Sequence, residues 1–315
     1  MVFCSMSSNH IVRTDLITSG IDSASRRSLT ISSPGKLNVF LEVSGKRLDG
    51  YHELETVMLR TNLADQLSVR SNISGALSLT FSDATTEAMR SGVPLDGRNL
   101  ILKAAEAIRL RLDAPFGAEF ILHKRIPPES GLGGGSGNAA AALILCRQLW
   151  NAPLSDADLH EIAAALGSDI NFLLSGHRAA VCRGRGEIIE PIPVSRRLHF
   201  VAFRPRKGNS TADVFRATSL RGELRSFADI VKNLADPNSR PLASLIFNRL
   251  TEAARTLNPE MATLMARLQH VARQPVFMSG SGSTVFVVAD SVQDAAGLLL
   301  KVRGSLKICG WAIEC

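Results

Sequence analysis

Aromatic residues are scarce in this chain. One tyrosine, two tryptophans and 13 phenylalanines make up 5% of 315 residues. A surface on which successive nucleobases stack is hard to build from so few rings, which counts against nucleic acid as a partner. Long apolar runs are missing too. The longest near the middle, Ala139 to Cys146, falls far short of the roughly 18 residues of a membrane span. No membrane partner is expected. Cys4, Cys146, Cys182, Cys309 and Cys315 are odd in number and form no CxxC pair. They read as reduced thiols or small buried apolar groups, not as a disulfide framework or a zinc site. A cytoplasmic enzyme, monomeric or weakly dimeric, is the expectation.

Three phosphate-loop and nucleophile signatures are also absent. Neither Gly35-Lys36-Leu37 nor Gly45-Lys46-Arg47 carries the Ser or Thr that a Walker loop needs after its lysine. Counted from Gly131, the third glycine position of a dinucleotide fingerprint is Ser136. The residue two after Ser136 is Asn138, so no nucleophile elbow stands there.

What the chain does have is Gly131-Leu132-Gly133-Gly134-Gly135-Ser136-Gly137-Asn138, followed at once by four alanines. So much glycine is expected to exclude a packed helix or strand over that stretch. Ala139 to Trp150 reads as a helix. A bare glycine loop feeding a helix N-terminus aims free N–H groups and the positive end of the dipole at one spot, which suits a phosphate. A flexible surface turn is the plainer reading, but such turns are polar and seldom run into an apolar helix. Lys and Arg exceed Asp and Glu, 36 against 29, for a net charge of +7. The excess comes in short pieces: Arg183 and Arg185, Arg196-Arg197, Arg204 with Arg206 and Lys207. Steering of anionic small molecules explains it more simply than RNA binding, whose mark would be salt-sensitive retention of RNA.

Residues 1–27 are rich in Ser and Thr and hold no continuous apolar segment, so they are not a secretory signal. Asp15 and Asp22 argue against a transit peptide, and an ill-ordered extension is expected. Beyond it, Leu37, Val39, Leu41 and Val43 alternate with Asn38, Phe40 and Glu42, a strand pattern that sets Lys36 and Asn38 on one side. Asn99 caps a helix to Leu112, and Phe116 to His123 is a strand. Ser155 caps a helix ending near Gly167. Arg178–Cys182, Leu198–Phe203, Val276-Phe277 and Val285–Val288 read as strands. Leu242–Leu268 and Val292–Leu300 read as helical. Mixed elements without strict alternation give an α+β class. With 315 residues there is enough chain for two domains.

The pattern from Pro127 through Gly131-Leu132-Gly133-Gly134-Gly135-Ser136 to Asn138-Ala139-Ala140 resembles the second motif of the GHMP small-molecule kinases. Pro34-Gly35-Lys36-Leu37-Asn38 followed by Asp49-Gly50-Tyr51-His52, and Ser279-Gly280-Ser281-Gly282, are similar to further motifs of that family, in the same order. The likeness covers roughly residues 29–315. The triple glycine and the Asp-Gly-Tyr-His segment resemble one branch, in the non-mevalonate isoprenoid pathway, which phosphorylates the 2-hydroxyl of a cytidine diphosphate ester of methylerythritol. The resemblance implies a two-domain GHMP kinase fold: an N-terminal domain like the second domain of ribosomal protein S5, and a ferredoxin-like C-terminal domain. The ATP-binding domain would span 28–196 and the second 197–315, with the boundary in the polar piece around Arg196.

The resemblance also implies roles. Asp169, in Gly167-Ser168-Asp169-Ile170-Asn171-Phe172, would be the base, with Lys36 beside it. Locally Asp169 reads as a helix N-cap, and the two roles are compatible. Asn38 would bond the acceptor, Tyr51 and His52 would hold the cytosine, and Phe215, four residues after Thr211, would be a second ring. Asn99, Lys124 and Pro127 would lie on the ATP side, with Gly131, Leu132, Gly133, Gly134, Gly135, Ser136, Gly137 and Asn138 around the phosphates. Gly280 and Gly282 would form a third loop near the site. ATP and Mg2+ would be required, with no protein side chain assigned as a direct metal ligand. The chain departs from the family at Glu129-Ser130, Gly137, Asn171 and Arg206-Lys207. A carboxylate at Glu129 would oppose phosphate unless it points away or meets a cation. One rival is another kinase of this family, acting on homoserine, mevalonate or a sugar, and Asp49-Gly50-Tyr51-His52 argues against it; a second is a binding protein or sensor of the same fold that has lost catalysis, and the presence of both Lys36 and Asp169 argues against that.

Overall fold

The computed structural model describes residues 17–21, 27–239 and 241–315. Among them, the strands form one sheet of eight and one of four. Two long antiparallel strands, Arg27–Lys46 and His52–Asn72, are the spine of the larger sheet. The second of these serves two neighbours in turn. Residues 54–59 pair with Ala179–Gly184, and residues 66–72 pair with Gly117–His123. Leu77–Phe81 and Ile188–Pro191 extend the sheet on either side.

The strand expected around Lys36 forms, but its alternation is interrupted by a register shift between Asn38 and Phe40, after which Leu41 shares the face of Lys36 and Asn38. Both faces are buried: Leu37, Val39, Leu41 and Val43 are at most 4% exposed, Lys36 4%, Asn38 3% and Glu42 0%. Glu42 keeps its charge there because Arg249 meets it with two N–H bonds of 2.7 Å, at Oε1 and Oε2. Burial pushes the Glu42 carboxyl up, but Arg249 together with the backbone N–H groups of Arg225 and Val43 more than offsets it and holds the group below its usual range.

The helices Leu100–Leu112, Gly134–Leu149 and Asp156–Leu166 share one core with the sheet. Asn99 caps the first by accepting from the Ile101 N–H at 2.9 Å. Ser155 and Asp158 form a reciprocal capping box on the third. The middle helix corrects one expectation. It begins at Gly134, so Gly134, Gly135, Ser136, Gly137 and Asn138 are helical. Close approach explains why glycine sits in a first turn that it would otherwise weaken. A Cβ on Gly137 would fall 2.5 Å from the Pro34 carbonyl. The alanines that follow are 0–3% exposed and keep the helix tight against its neighbours.

The smaller sheet runs Phe277–Met278, Val285–Ala289, His199–Phe203, Trp311–Glu314 in space, all antiparallel. Along the chain, His199–Phe203 leads through helices including Pro259–Ala272 to the next two strands, then through Val292–Leu306 to the last. That is the β-α-β-β-α-β arrangement of a ferredoxin-like unit. The chain changes sheets between Pro191 and His199.

Two further expectations are corrected. Leu242–Leu268 is not one helical region. A 3-10 turn at Leu242–Leu245 gives way to Phe247–Asn248, which pairs in parallel with Phe40-Leu41, and Pro259 then opens a new helix. A tertiary partner overrode local propensity, and proline supplied a start signal. The extension does not run unstructured to residue 27, because Thr18–Ile21 pairs with residues 27–30 and so fills its backbone bonds. Residues 1–16 and 22–26, and with them Cys4, lie outside the described residues. Cys146 and Cys182 are free thiols in the core, while Cys309 is at the surface.

Candidate active site

Lys36 enters a cavity of about 420 Å³ from the sheet, and Asp169 enters it from the start of the short helix Ile170–Ser175. The Lys36 ammonium lies 3.2 Å from a carboxylate oxygen of Asp169 and 2.5 Å from Asn38 Oδ1. Asp169 does stand at an N-cap position, but its side chain makes no cap bond. It points instead to the lysine and is 29% exposed, whereas the Lys36 side chain is 5% exposed. An accessible carboxylate beside a buried ammonium can take a proton from an alcohol while the cation offsets negative charge.

The glycine stretch forms the facing wall through Gly131, Gly133, Gly134, Gly135 and Ser136, with Pro127 at its edge. The first N–H groups of the helix that begins at Gly134 have no intrahelical carbonyls to bond, and they meet the cavity at the positive end of the dipole. Gly133 caps that helix at φ +70°, and a Cβ there would sit 2.9 Å from Lys36 Cγ. Only glycine satisfies both the angle and the contact. The third loop closes the floor. Gly280 has φ +56°, and a Cβ on it would lie 3.1 Å from Lys36 Nζ. Ser281 lines the cavity as well.

Several expected contacts are not offered to the cavity. Lys124 reaches the cavity wall, but its ammonium is bound to Asp65 Oδ2 and the Ile126 carbonyl, both at 2.6 Å. Burial pushes its pKa down despite the adjacent carboxylate. Asn138 donates to Asp65 Oδ2 at 3.0 Å and accepts from Ser33 Oγ at 2.8 Å. Lys124 and Asn138 therefore brace the glycine stretch around Asp65. Asn99 spends its side chain on the cap and on the Pro94 carbonyl, and the cavity wall is Leu100 instead. Leu132 is 1% exposed and offers its carbonyl to Lys36 N–H at 2.8 Å. Gly137 faces Pro34, and Gly282 packs toward Asn209 and Met278. None of these last four lines the cavity.

A second cavity, about 730 Å³, opens beyond the first. Tyr51, His52, Thr211 and Phe215 line it, together with Lys46 and Arg185. His52 and Phe215 are stacked on each other, with centroids 5.1 Å apart and 28° between planes. They make one wall, so a base cannot enter between them without parting them. Burial and the Lys46 charge push His52 down, leaving it neutral at pH 7. Tyr51 is 54% exposed, and the Arg185 guanidinium lies 4.9 Å over its ring. Leu54, Ser168, Arg185, Thr211 and Phe215 line both cavities, and Arg185 is the charged member of that set. In the sequence Arg185 stands out only as part of the basic excess suited to anionic small molecules, with no place in the site.

The departures resolve separately. Glu129 lines the first cavity, but its carboxylate lies over Gly208, where a Cβ would come within 3.0 Å of Oε2. The Arg204 guanidinium acts electrostatically on Glu129 and bonds the neighbouring Pro128 carbonyl at 2.6 Å. Asn171 donates to the Glu187 carbonyl at 3.3 Å, and its Oδ1 meets His160 Nδ1 at 3.1 Å. Arg206 and Lys207 are exposed and stand away from both cavities, their backbone N–H groups held by Glu260.

A kinase-type site on this fold agrees with the comparisons to known proteins. Residues 99–182 match the GHMP kinases N terminal domain, and residues 226–307 match the GHMP kinases C terminal model. The 4-diphosphocytidyl-2-C-methyl-D-erythritol kinase of Pelotomaculum thermopropionicum is 35% identical over 277 residues, covering 87% of this chain and 94% of that protein. The kinase of the same name from Shouchella clausii is also 35% identical, covering 87% and 90%. A crystal structure of 4-(cytidine 5'-diphospho)-2C-methyl-D-erythritol kinase matches with a TM-score of 0.73 at 31% identity, over 90% of this chain and 98% of that one. This chain belongs to the GHMP kinase family. It is a small-molecule kinase with that family's two-domain fold.

Proposed function

We infer that this chain transfers the γ-phosphoryl group of ATP to the 2-hydroxyl of 4-diphosphocytidyl-2-C-methyl-D-erythritol, a step on the non-mevalonate route to isoprenoid precursors. The observation that carries this reading is the joining of two cavities at one reaction centre. The glycine-lined cavity holds Lys36 and Asp169, and the ring-lined cavity adjoins it through Ser168, Arg185 and Thr211. An acceptor with an alcohol at one end, a diphosphate in the middle and a base at the other matches that sequence of surfaces. The relatives named above carry the same substrate in their names.

In this reading the backbone of Gly131 to Ser136 receives the triphosphate. Asp169 takes the proton of the acceptor hydroxyl, and Lys36 balances the charge as the bond to the γ-phosphorus forms. Asn38 orients the acceptor. Arg185 meets its diphosphate, and Tyr51, His52 and Phe215 hold the cytosine. Ser136 supplies a hydroxyl on the cavity wall that would donate to a phosphate or hold the water shell of a magnesium ion, whose own ligands would be phosphate oxygens and water. The ion would neutralise phosphate charge. The division between domains falls at Arg196 in this reading. The enzyme acts on a free small molecule in the cytoplasm, without nucleic acid or membrane, as a monomer or weak dimer.

The two nucleotides then occupy separate sites, which kinetics can test. Tyr51→Ala removes a stacking ring, a loss of about 1–3 kcal/mol per base in single-strand binders. The acceptor KM should rise roughly 5- to 150-fold and the ATP KM should stay near wild type. Equal changes in both would make Tyr51 a structural residue. In the wild type, CDP should inhibit competitively against the acceptor and not against ATP. Competition against ATP alone would overturn the assignment of the ring-lined cavity.

A further inference from the structure

Thr56 reaches the wall of the reaction cavity from the middle of His52–Asn72, yet it is only 1% exposed. Its hydroxyl donates to the Phe40 carbonyl at 2.6 Å and accepts from Asn38 Nδ2 at 2.8 Å. A hydroxyl has one proton, and this one is committed to the backbone. Thr56 can therefore meet the Asn38 side chain only as an acceptor. That requirement turns Asn38 Nδ2 toward Thr56 and Oδ1 toward the Lys36 ammonium, 2.5 Å away. The opposite amide orientation would set an N–H group against the ammonium and a carbonyl oxygen against a lone pair.

The backbone helps to set up this contact. Asn38 is paired with Met58, but Phe40 is paired with Val57, so the strand bulges at Val39. The bulge advances Asn38 one register toward Thr56, a way for a strand to re-aim a side chain beside a site. Ser279 fixes the same residue from the other side by accepting the Asn38 backbone N–H at 3.1 Å.

Resting on the kinase reading above, we propose that Thr56 is a positioning residue for phosphoryl transfer, a one-hydroxyl relay that sets the Asn38 amide and through it the Lys36 ammonium beside Asp169. Thr56→Val keeps the branched shape and removes the acceptor. The Asn38 amide is then either left unsatisfied or free to turn, and the ammonium loses its fixed partner. Turnover should fall about 10- to 100-fold, the scale of a misplaced reacting group. The KM for ATP should hold, and Thr56→Ser should recover most of the turnover.

The decisive test is a double-mutant cycle in kcat with Asn38→Ala. If Thr56 acts through Asn38, adding Thr56→Val to Asn38→Ala costs little more than Asn38→Ala alone. Additive losses, or a Thr56→Val enzyme with wild-type turnover, would overturn the relay. Should the valine variant fail to fold by circular dichroism, Thr56→Ala takes its place in the cycle, with the same two outcomes. The acceptor is whichever alcohol the wild type phosphorylates from a panel of the cytidyl ester, homoserine, mevalonate and a hexose. A wild type that ignores the cytidyl ester refutes the substrate assignment and leaves the cycle in force.

Discussion

Asp169→Asn should turn over the acceptor at least ~100-fold more slowly than wild type, the usual scale of lost general-base help. Asparagine keeps the size and place of the side chain and cannot take a proton. Lys36 keeps its bond to Asn38, so the cavity should hold its shape. The loss should appear in kcat, with both Michaelis constants little changed, as expected when an interaction made only in the transition state is removed. Steady-state kinetics on the purified variant decides it. Turnover near the wild-type rate would make Asp169 an ordinary start of the helix Ile170–Ser175, and the mechanism would lose its base.

The largest stability effect is expected from Asp65→Ala. This carboxylate is wholly buried and accepts from Lys124 Nζ at 2.6 Å, Arg125 N–H at 2.6 Å, Ile126 N–H at 2.8 Å and Asn138 Nδ2 at 3.0 Å. Removing it strands the Lys124 ammonium in the interior with the Ile126 carbonyl as its remaining acceptor. Breaking one side of a buried pair costs about 3–5 kcal/mol. Urea denaturation should show a lower midpoint with an unchanged slope. The glycine stretch should loosen too, since Lys124 and Asn138 both reach it through Asp65. A variant as stable as wild type would remove Asp65 from that role.

The contrast between these two aspartates marks what could be read from the sequence. Asp169 sits within a local segment whose neighbours identify it, and Lys36 and Asn38 share a side because a strand has period two. Asn99 and Ser155 are caps whose signal is confined to one turn. Asp65 has no such signature. Its partners lie 59 to 73 residues away, and they meet through the pairing of His52–Asn72 with Gly117–His123 and the packing of the helix Gly134–Leu149 on the long strands. Glu42 and Arg249 are separated by 207 residues. The same long-range closure explains the misplaced roles. In sequence Lys124 looks available to the ATP side and Asn138 to the phosphates, but folding assigns both to Asp65. The helix start at Gly134 was hidden because composition reports the local cost of glycine and not the Pro34 carbonyl that excludes a Cβ at Gly137. Phe247 likewise breaks an apparent helix because a strand edge at Phe40 is waiting for it.

The central claim is that this chain phosphorylates a cytidine diphosphate ester at an alcohol. Phosphorus NMR of the purified protein with ATP, magnesium and 4-diphosphocytidyl-2-C-methyl-D-erythritol tests it directly. One new phosphomonoester signal is expected, assigned to the oxygen on carbon 2, growing in step with ADP while the diphosphate signals of the acceptor persist. ADP formed without that signal, or transfer to homoserine, mevalonate or a hexose in preference to the cytidyl ester, would contradict it.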